Sequence, residues 1–228
     1  MKLIFSDKIT RGIDKVWATK RLKYKGIYDD ILKNLNEVFY VLLIIHFEKT
    51  LKELGKVIDQ QEIHYEVFKT SWDISNFNIN RLKQEKMRYA VLLSDILSEL
   101  MRYDRLSRQM DTKGKKIHII VAERYPIPER DNNILSYAAQ LSQFTTVSFH
   151  TALDEPLIKL FGQSTTDLLK KLGWNRETFM AHPMITKAIN EVQRQIKEQS
   201  IGDQRVHSQE EWFYYNCPQS RDRLSDMQ

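Results

Sequence analysis

A single cysteine, Cys217, is the only thiol in 228 residues. It excludes an internal disulfide and a cysteine-rich zinc site, and it fits a reducing cytoplasm. Long apolar runs are equally scarce. The longest, Val38 to Ile45, falls well short of the roughly 20 residues that cross a bilayer, and its length and β-branching suit a buried strand. No secretory leader is expected, because Met1-Lys2-Leu3-Ile4-Phe5 is too short for an apolar signal core before Asp7; the mature protein is read as beginning at Met1. A run of one charge is also missing: 35 Lys and Arg are interspersed with 30 Asp and Glu, for a net charge of +5. That pattern describes a mixed, solvated surface and gives nucleic-acid binding only modest support. No G-x-x-x-x-G-K-S/T loop and no internal repeat occurs, so the chain carries no phosphate-cradling segment of its own.

What is present is enough for a folded domain. At 42% hydrophobic residues the chain can bury a core, as one large domain or as a compact domain with a helical appendage. Leu22, Ile27, Ile31 and Leu35 recur at helical spacing among lysines from Trp17 to Asn36, and this helix feeds the strand Val38 to Ile45. Leu51, Leu54, Val57 and Ile58 mark a second helix over Lys49 to Gln60, followed by a short strand, Ile63 to Phe68. The alternation αβαβ predicts a parallel sheet covered by helices. Trp72 to Asn80 is a polar loop, and Leu82 to Met101 fits either a helix or a strand plus a helix.

Lys113-Gly114-Lys115-Lys116 is a turn, and Ile117 to Ala122 a β-branched strand. Pro126 and Pro128 then speak against a regular helix or a central strand. Ser136 to Ser142 has helical character, Thr145 to Ala152 is a last strand, and helices follow from Asp154. Leu157, Ile158, Leu160 and Phe161 form one apolar face, Gly173 reads as a helix C-cap, and Met184 to Gln199 is amphipathic.

These residues carry a family resemblance. Val121-Ala122-Glu123-Arg124-Tyr125, Arg130-Asp131-Asn132-Asn133, Phe149, Leu153-Asp154-Glu155, Leu157 and Leu160-Phe161-Gly162 fall in register, without a gap, on the end of the second nucleotide-binding fold of SecA, the protein-translocation motor. Leu168 to Gly173 and Pro183 to Ile189 resemble the start of SecA's helical scaffold. Upstream, Ala18-Thr19-Lys20, Tyr24-Lys25, Ile31, Val41-Leu42 and Glu48-Lys49 resemble the opening helix and strand of the same fold. The resemblance covers about Ile13 to Arg205, is strong in Ile117 to Ile196 and weak in Ser71 to Gln109. It implies a degenerate RecA-like α/β domain of the helicase C-terminal type over 1–151. A helical scaffold-like segment over 152–206 and an aromatic-containing tail over 207–228 follow.

The departures from the family are chemical. Where it has the arginines that steady charge on a transferring phosphate, this chain has Leu135, Tyr137 and Gln140. Where it has glycines that admit a phosphate to the backbone, this chain has Ser136, Ala139 and Ser142. Its preceding Ala-Gly-Arg-Gly-Thr-Asp motif is replaced near Ser98-Glu99-Leu100-Met101-Arg102, and the first nucleotide-binding fold is absent. The resemblance therefore implies loss of ATPase chemistry: no catalytic residue, no cofactor and no metal is assigned, and the chain is expected not to be an enzyme.

Single signals have ordinary explanations. His46, His64, His118 and His150 stand alone in or beside strands and suit structural roles; His182 suits a cap before Pro183, and His207 lies in a polar stretch. Glu123-Arg124 is read as an ion pair fixing the loop after a strand, and Cys217 as an inert thiol. Lys15, Lys20, Arg21, Lys23 and Lys25 around Trp17 and Tyr24 fit an RNA-binding module or a solvated helix face. Trp212, Phe213, Tyr214 and Tyr215 either dock on their own domain or anchor a partner, and Ser220 to Gln228 is read as loose. The expected function is a non-catalytic SecA-derived adaptor or accessory subunit of a bacterial secretion or translocation complex, for example a type IV coupling complex. Its partners would be other subunits of that assembly, with no stable membrane insertion and no nucleic acid. The place of action would be the cytoplasm, peripheral to the inner membrane through partners. The alternatives are an ATPase half-site completed by a second chain and the RNA-binding module.

Overall fold

Tyr40-Val41-Leu42-Leu43-Ile44-Ile45 contains no charged residue, and such a run is stable only where both faces of a strand are covered. In the computed structural model, which describes residues 9–38, 40–59, 65–70, 73, 89–103, 114–142 and 144–225, it is strand β3 (Tyr40–Ile45), buried throughout. It is the third strand in chain order, after β1 (Ile9–Arg11) and β2 (Lys15–Trp17) and before β4 (Glu66–Phe68), β5 (Tyr89–Leu93), β6 (Ile117–Val121), β7 (Thr145–Ala152) and β8 (Met180–Ala181). The sheet runs β4-β5-β3-β6-β7-β2-β8, with β1 pairing the start of β7. All pairings are parallel except β2 with β8.

Parallel neighbours need crossovers, and helices supply them. They are α1 (Lys20–Glu37), α2 (Glu48–Asp59), α3 (Leu97–Tyr103), α4 (Pro128–Leu141), α5 (Pro156–Phe161), α6 (Gln163–Lys171), α7 (Pro183–Gln199), α8 (Gln209–Asn216) and α9 (Arg221–Ser225). Alternation along β3 divides the core between two faces. Val41, Leu43 and Ile45 pack with Tyr24, Ile27 and Ile31 of α1 and Leu51, Leu54 and Ile58 of α2. Leu42 and Ile44 pack with Leu97 and Leu100 of α3, Ile134, Leu135, Tyr137 and Leu141 of α4, and Phe149. The expected architecture is the one the chain adopts: a largely parallel sheet flanked by helices, with further helices after it. A third cluster joins the two parts. Val16, Phe47, Tyr125 and Ile127 meet Leu157, Ile185, Ile189, Val192, Ile196, Trp212 and Phe213.

Several boundaries differ from the sequence reading. Trp17 ends β2 and does not open a helix; α1 starts at Lys20 because Thr19 is extended and its hydroxyl oxygen accepts from Leu22 N at 3.2 Å. Val38 caps α1, so β3 begins at Tyr40. Of the two readings of Leu82 to Met101, the described residues form a strand, a 3-10 turn at Ser94–Ile96 and a helix. The two prolines do not keep a helix away: Pro128 sits at the first turn of α4, where its missing N–H costs nothing, and the helix runs from there to Leu141. Gly173 has φ +71°, the left-handed conformation that ends α6. Part of the segment read as loose is α9, pinned by buried Leu224 and by Arg223 donating to Leu160 O. The strand expected over Ile63 to Phe68 is β4, Glu66–Phe68, while Ile63 and His64 lie outside the described residues, as does the loop reading over Trp72 to Asn80 apart from Asp73.

Candidate functional site

In open parallel sheets, ligands bind beyond the carboxyl ends of the strands. Here those ends carry His46 after β3, Ser94 after β5 and Glu123-Arg124 after β6, and all four are buried. Glu123 turns inward: its Oε1 accepts from His46 N at 3.2 Å and Phe47 N at 3.1 Å, and its Oε2 from the Thr50 hydroxyl at 2.5 Å. It thereby fastens the β3–α2 connection. Burial pushes its carboxyl above the ordinary value, against the pull of Lys23. Arg124 turns the other way. Its Nε lies 3.3 Å from Asp131 Oδ2 and 3.5 Å from Asp14 Oδ1. Glu123 and Arg124 are therefore not a pair with each other; neighbouring residues after a strand point to opposite sides, and each finds its own partners.

Asp131, in the first turn of α4, is the centre of this network. Its Oδ1 lies 2.9 Å from His46 Nε2 and accepts from Tyr125 N at 3.3 Å, and its Oδ2 accepts from Gln193 Nε2 of α7 at 2.6 Å. Burial would raise its carboxyl, but Arg124 and His46 hold it below the ordinary value. His46 Nδ1 lies 2.8 Å from Ser94 Oγ. Hydroxyl, imidazole and carboxylate stand in the order of a hydrolase relay, an arrangement that spacing alone did not reveal. Its surroundings make it a latch between β5, β3 and α4. All three side chains are buried, Asp131 is shared among Arg124, Gln193 and Tyr125 N, and Ser94 opens an ordinary 3-10 turn with no glycine beside it.

A second buried network fixes α1 to β7. Lys23 pairs with Glu155, whose Oε2 also accepts from Ala152 N at 3.0 Å. Trp17 Nε1 donates to His150 Nδ1 at 3.1 Å, and His150 Nε2 lies 3.1 Å from Asp30 Oδ2, which Lys15 also engages. An indole N–H only donates, so Nδ1 must be unprotonated and the ring neutral. Burial agrees, lowering His150 to about 4, and does the same to His118, which contacts the Thr146 and Ser148 hydroxyls. Against burial, His150 and Lys15 hold Asp30 at about 2. Of the five basic residues that suggested an RNA-binding face, Lys15, Lys20 and Lys23 are thus engaged by Asp30, Glu210 and Glu155; Arg21 and Lys25 remain exposed.

The aromatic cluster is divided by α8. Trp212 and Phe213 are fully buried, whereas Tyr214 and Tyr215 are about half exposed, at 50% and 47%. A side chain with no exposed surface cannot touch a partner while α8 is docked, so the candidate contact narrows from four residues to Tyr214 and Tyr215. Docking is anchored by Asp203, which sequence reasoning missed: its Oδ1 accepts from the Tyr125 hydroxyl at 2.6 Å and Trp212 Nε1 at 2.9 Å, and its Oδ2 from Arg130 Nε at 3.2 Å. Asp203 stands nine positions before Trp212, and nothing in the sequence around it signals the contact. Cys217 is buried, and that burial raises its thiol above the ordinary value. His182 caps α7 by accepting from Met184 N at 3.2 Å. Among the described residues no group of three or more His, Cys, Asp or Glu side chains is placed to hold a metal ion, and no helix is long and apolar enough to cross a membrane.

Leu135, Tyr137 and Gln140, at which the resemblance implies that arginines are lost, all lie on α4. Leu135 and Tyr137 are buried in the sheet-facing core, and Gln140 is exposed. Among the residues replacing its glycines, Ser136 hydrogen-bonds back to Asn132 O at 3.0 Å, and Ser142 to Lys115 O at 2.6 Å. On the replaced upstream motif, Glu99 and Arg102 of α3 point to solvent and Leu100 into the core.

No protein family model matches the chain. Curated proteins do. The protein translocase subunit SecA of Acidithiobacillus ferrooxidans is 31% identical over 86 residues, 37% of this chain and 9% of that protein. The SecA of Phocaeicola vulgatus is 23% identical over 190 residues, and that of Parabacteroides distasonis 22% over 191; each alignment takes in 83% of this chain and 17% of the relative. The chain is therefore similar to SecA over most of its length while spanning less than a fifth of those relatives. Among solved structures, the C-terminal part of the Fun30 ATPase domain aligns with 75% of this chain and 53% of its own at a TM-score of 0.35 and 12% identity.

Proposed function

We propose that this chain is a non-catalytic, SecA-derived adaptor or accessory subunit of a bacterial protein secretion or translocation complex, acting through protein-protein contacts. A type IV coupling complex is one such assembly. The observation that carries the reading is the fate of α4. The chain aligns with SecA across 83% of its length, yet the arginine positions of the family's last motif are two core side chains, Leu135 and Tyr137, and the uncharged Gln140. Leucine has no donor, the tyrosine is packed under the sheet, and an uncharged amide cannot supply the forked, charged hydrogen bonds that steady a transferring phosphoryl group. The carboxyl edge of the strands supports the same reading, since a buried ionic network joins it to α7.

The partners of such an adaptor are other subunits of the assembly, and its place is the cytoplasm, held at the inner membrane through them. Nucleotide turnover tests the loss of chemistry. The isolated chain is expected to release no phosphate from ATP above a blank. It is also expected to bind ATP no more tightly than inorganic triphosphate, which lacks the nucleoside. ATP turnover, or affinity that depends on the adenosine moiety, would overturn the proposal.

A further inference from the structure

Arg11 and Arg124 meet beside β7, with Asp14 and Asp131 as their carboxylate neighbours. Both guanidinium groups lie over the Phe149 ring, 5.3 and 4.6 Å from its centroid, and both donate to the same acceptor, Asn190 Oδ1, Arg11 at 3.4 Å. Arg124 is buried and has two carboxylates near its Nε; its Nη2 also donates to Gln193 Oε1 at 2.8 Å, while its Nη1 makes no hydrogen bond. Arg11, whose side chain is 33% exposed, has among the described residues only Asp14 Oδ2 as an ion-pair partner, at 3.9 Å and beyond hydrogen-bond reach. Buried Asp14 is thus a distant counter-ion for two arginines, and neither of its oxygens accepts a hydrogen bond.

The cleft that opens here measures about 220 Å³ and includes Arg11, Arg124, Asp131, Asn132, Asn190 and Gln193 in its lining. The acceptors of three of its residues are engaged within the protein. Asp131 faces His46, Tyr125 N, Gln193 and Arg124; Gln193 Oε1 takes Arg124, and Asn190 Oδ1 takes both arginines. Asn190 turns its oxygen to the guanidinium groups, so the donors left to the wall are those of Arg11 and the unpaired Nη1 of Arg124.

We propose that this cleft binds a small oxyanion, a phosphoryl or carboxylate group, held by the Arg11 guanidinium and the unpaired Nη1 of Arg124. Its volume is below the roughly 300 Å³ at which pockets for drug-sized ligands begin, so a phosphate or a short carboxylate fits and a whole nucleotide does not. Burial, and then the charge of Arg124, lowers the affinity of Arg11 for its proton, a penalty that a bound anion relieves.

Thermal unfolding of the full chain in inorganic phosphate, succinate and chloride at equal ionic strength tests the site and separates the two sources. Phosphate or succinate should raise the midpoint saturably over chloride, the stronger of the two identifying the group. General salting effects of such anions act on any surface and so survive mutation. Arg11→Gln, at an exposed position, should weaken the apparent affinity at least tenfold, while Lys159→Gln, an exposed lysine elsewhere, should leave it unchanged. Asn190→Asp places a carboxylate from the chain itself between the arginines; that variant should begin with a higher midpoint and no longer respond. Equal midpoints in the three salts, or an undiminished response in Arg11→Gln, would overturn the proposal.

Discussion

Gly26 lies inside α1 where the helix crosses the Trp17 indole, and a Cβ added there would sit 1.9 Å from the ring. The indole cannot swing aside, because Nε1 is held by His150. Alanine normally stabilises a helix interior over glycine by about 1 kcal/mol. At this position the sign should reverse: Gly26→Ala is expected to lower unfolding free energy by about 2 kcal/mol, read from urea denaturation. His150 gives the second prediction at this scale. Its folded pKa of about 4 lies below the ordinary value of 6.5, so the unfolded chain takes up the proton first and stability must fall as pH drops from 6.5 toward 4. The loss is on the order of 3 kcal/mol across that window. Urea midpoints measured from pH 7.5 to 4.5 should fall more steeply in the wild type than in His150→Gln; equal slopes would contradict a buried neutral ring. Sequence alone did give His46, His118 and His150 structural roles. It could not give their partners, because Asp30, Ser94, Asp131 and Thr146 reach them only through crossovers.

At the scale of elements, α8 shows the limit of composition. Trp-Phe-Tyr-Tyr reads as one cluster, yet a helix turns successive residues by about 100°, so Trp212 and Phe213 enter the core while Tyr214 and Tyr215 leave it. Trp212→Ala should cost about 3–5 kcal/mol, and Tyr214→Ala should stay within roughly 0.5 kcal/mol in the same denaturation assay. A comparable loss from Tyr214→Ala would mean that this side chain is structural and not a free contact. Long periodic elements such as α2 and α7 were legible because apolar spacing at three and four residues needs no tertiary knowledge. The strands β1, β2 and β8 were not: they are two or three residues long, and pairing with β7 or with each other, not their own pattern, makes them strands. The start of α4 was hidden by Pro128, which was read as a helix breaker although the first turn accepts it.

On the scale of the whole molecule, the alternation of helix and strand from α1 to β7 made the parallel sheet readable, and the SecA-like register over β6, α4 and β7 gave it a kind. The closure of the carboxyl edge was not readable. It depends on Asp14, Asp131, Gln193 and Asp203, four residues spread over most of the sequence that meet only when α7 and α8 pack against the sheet. That closure makes the carboxyl edge a joint between sheet and helices, with the small cleft of Arg11 and Arg124 beside it. The proposed adaptor role is tested most directly by affinity purification of the tagged full chain from its native cells, with and without added ATP, followed by mass spectrometry. Secretion or translocation subunits recovered equally in both conditions are the predicted result. Recovery of none, or of a nucleotide-binding chain only when ATP is present, would contradict it.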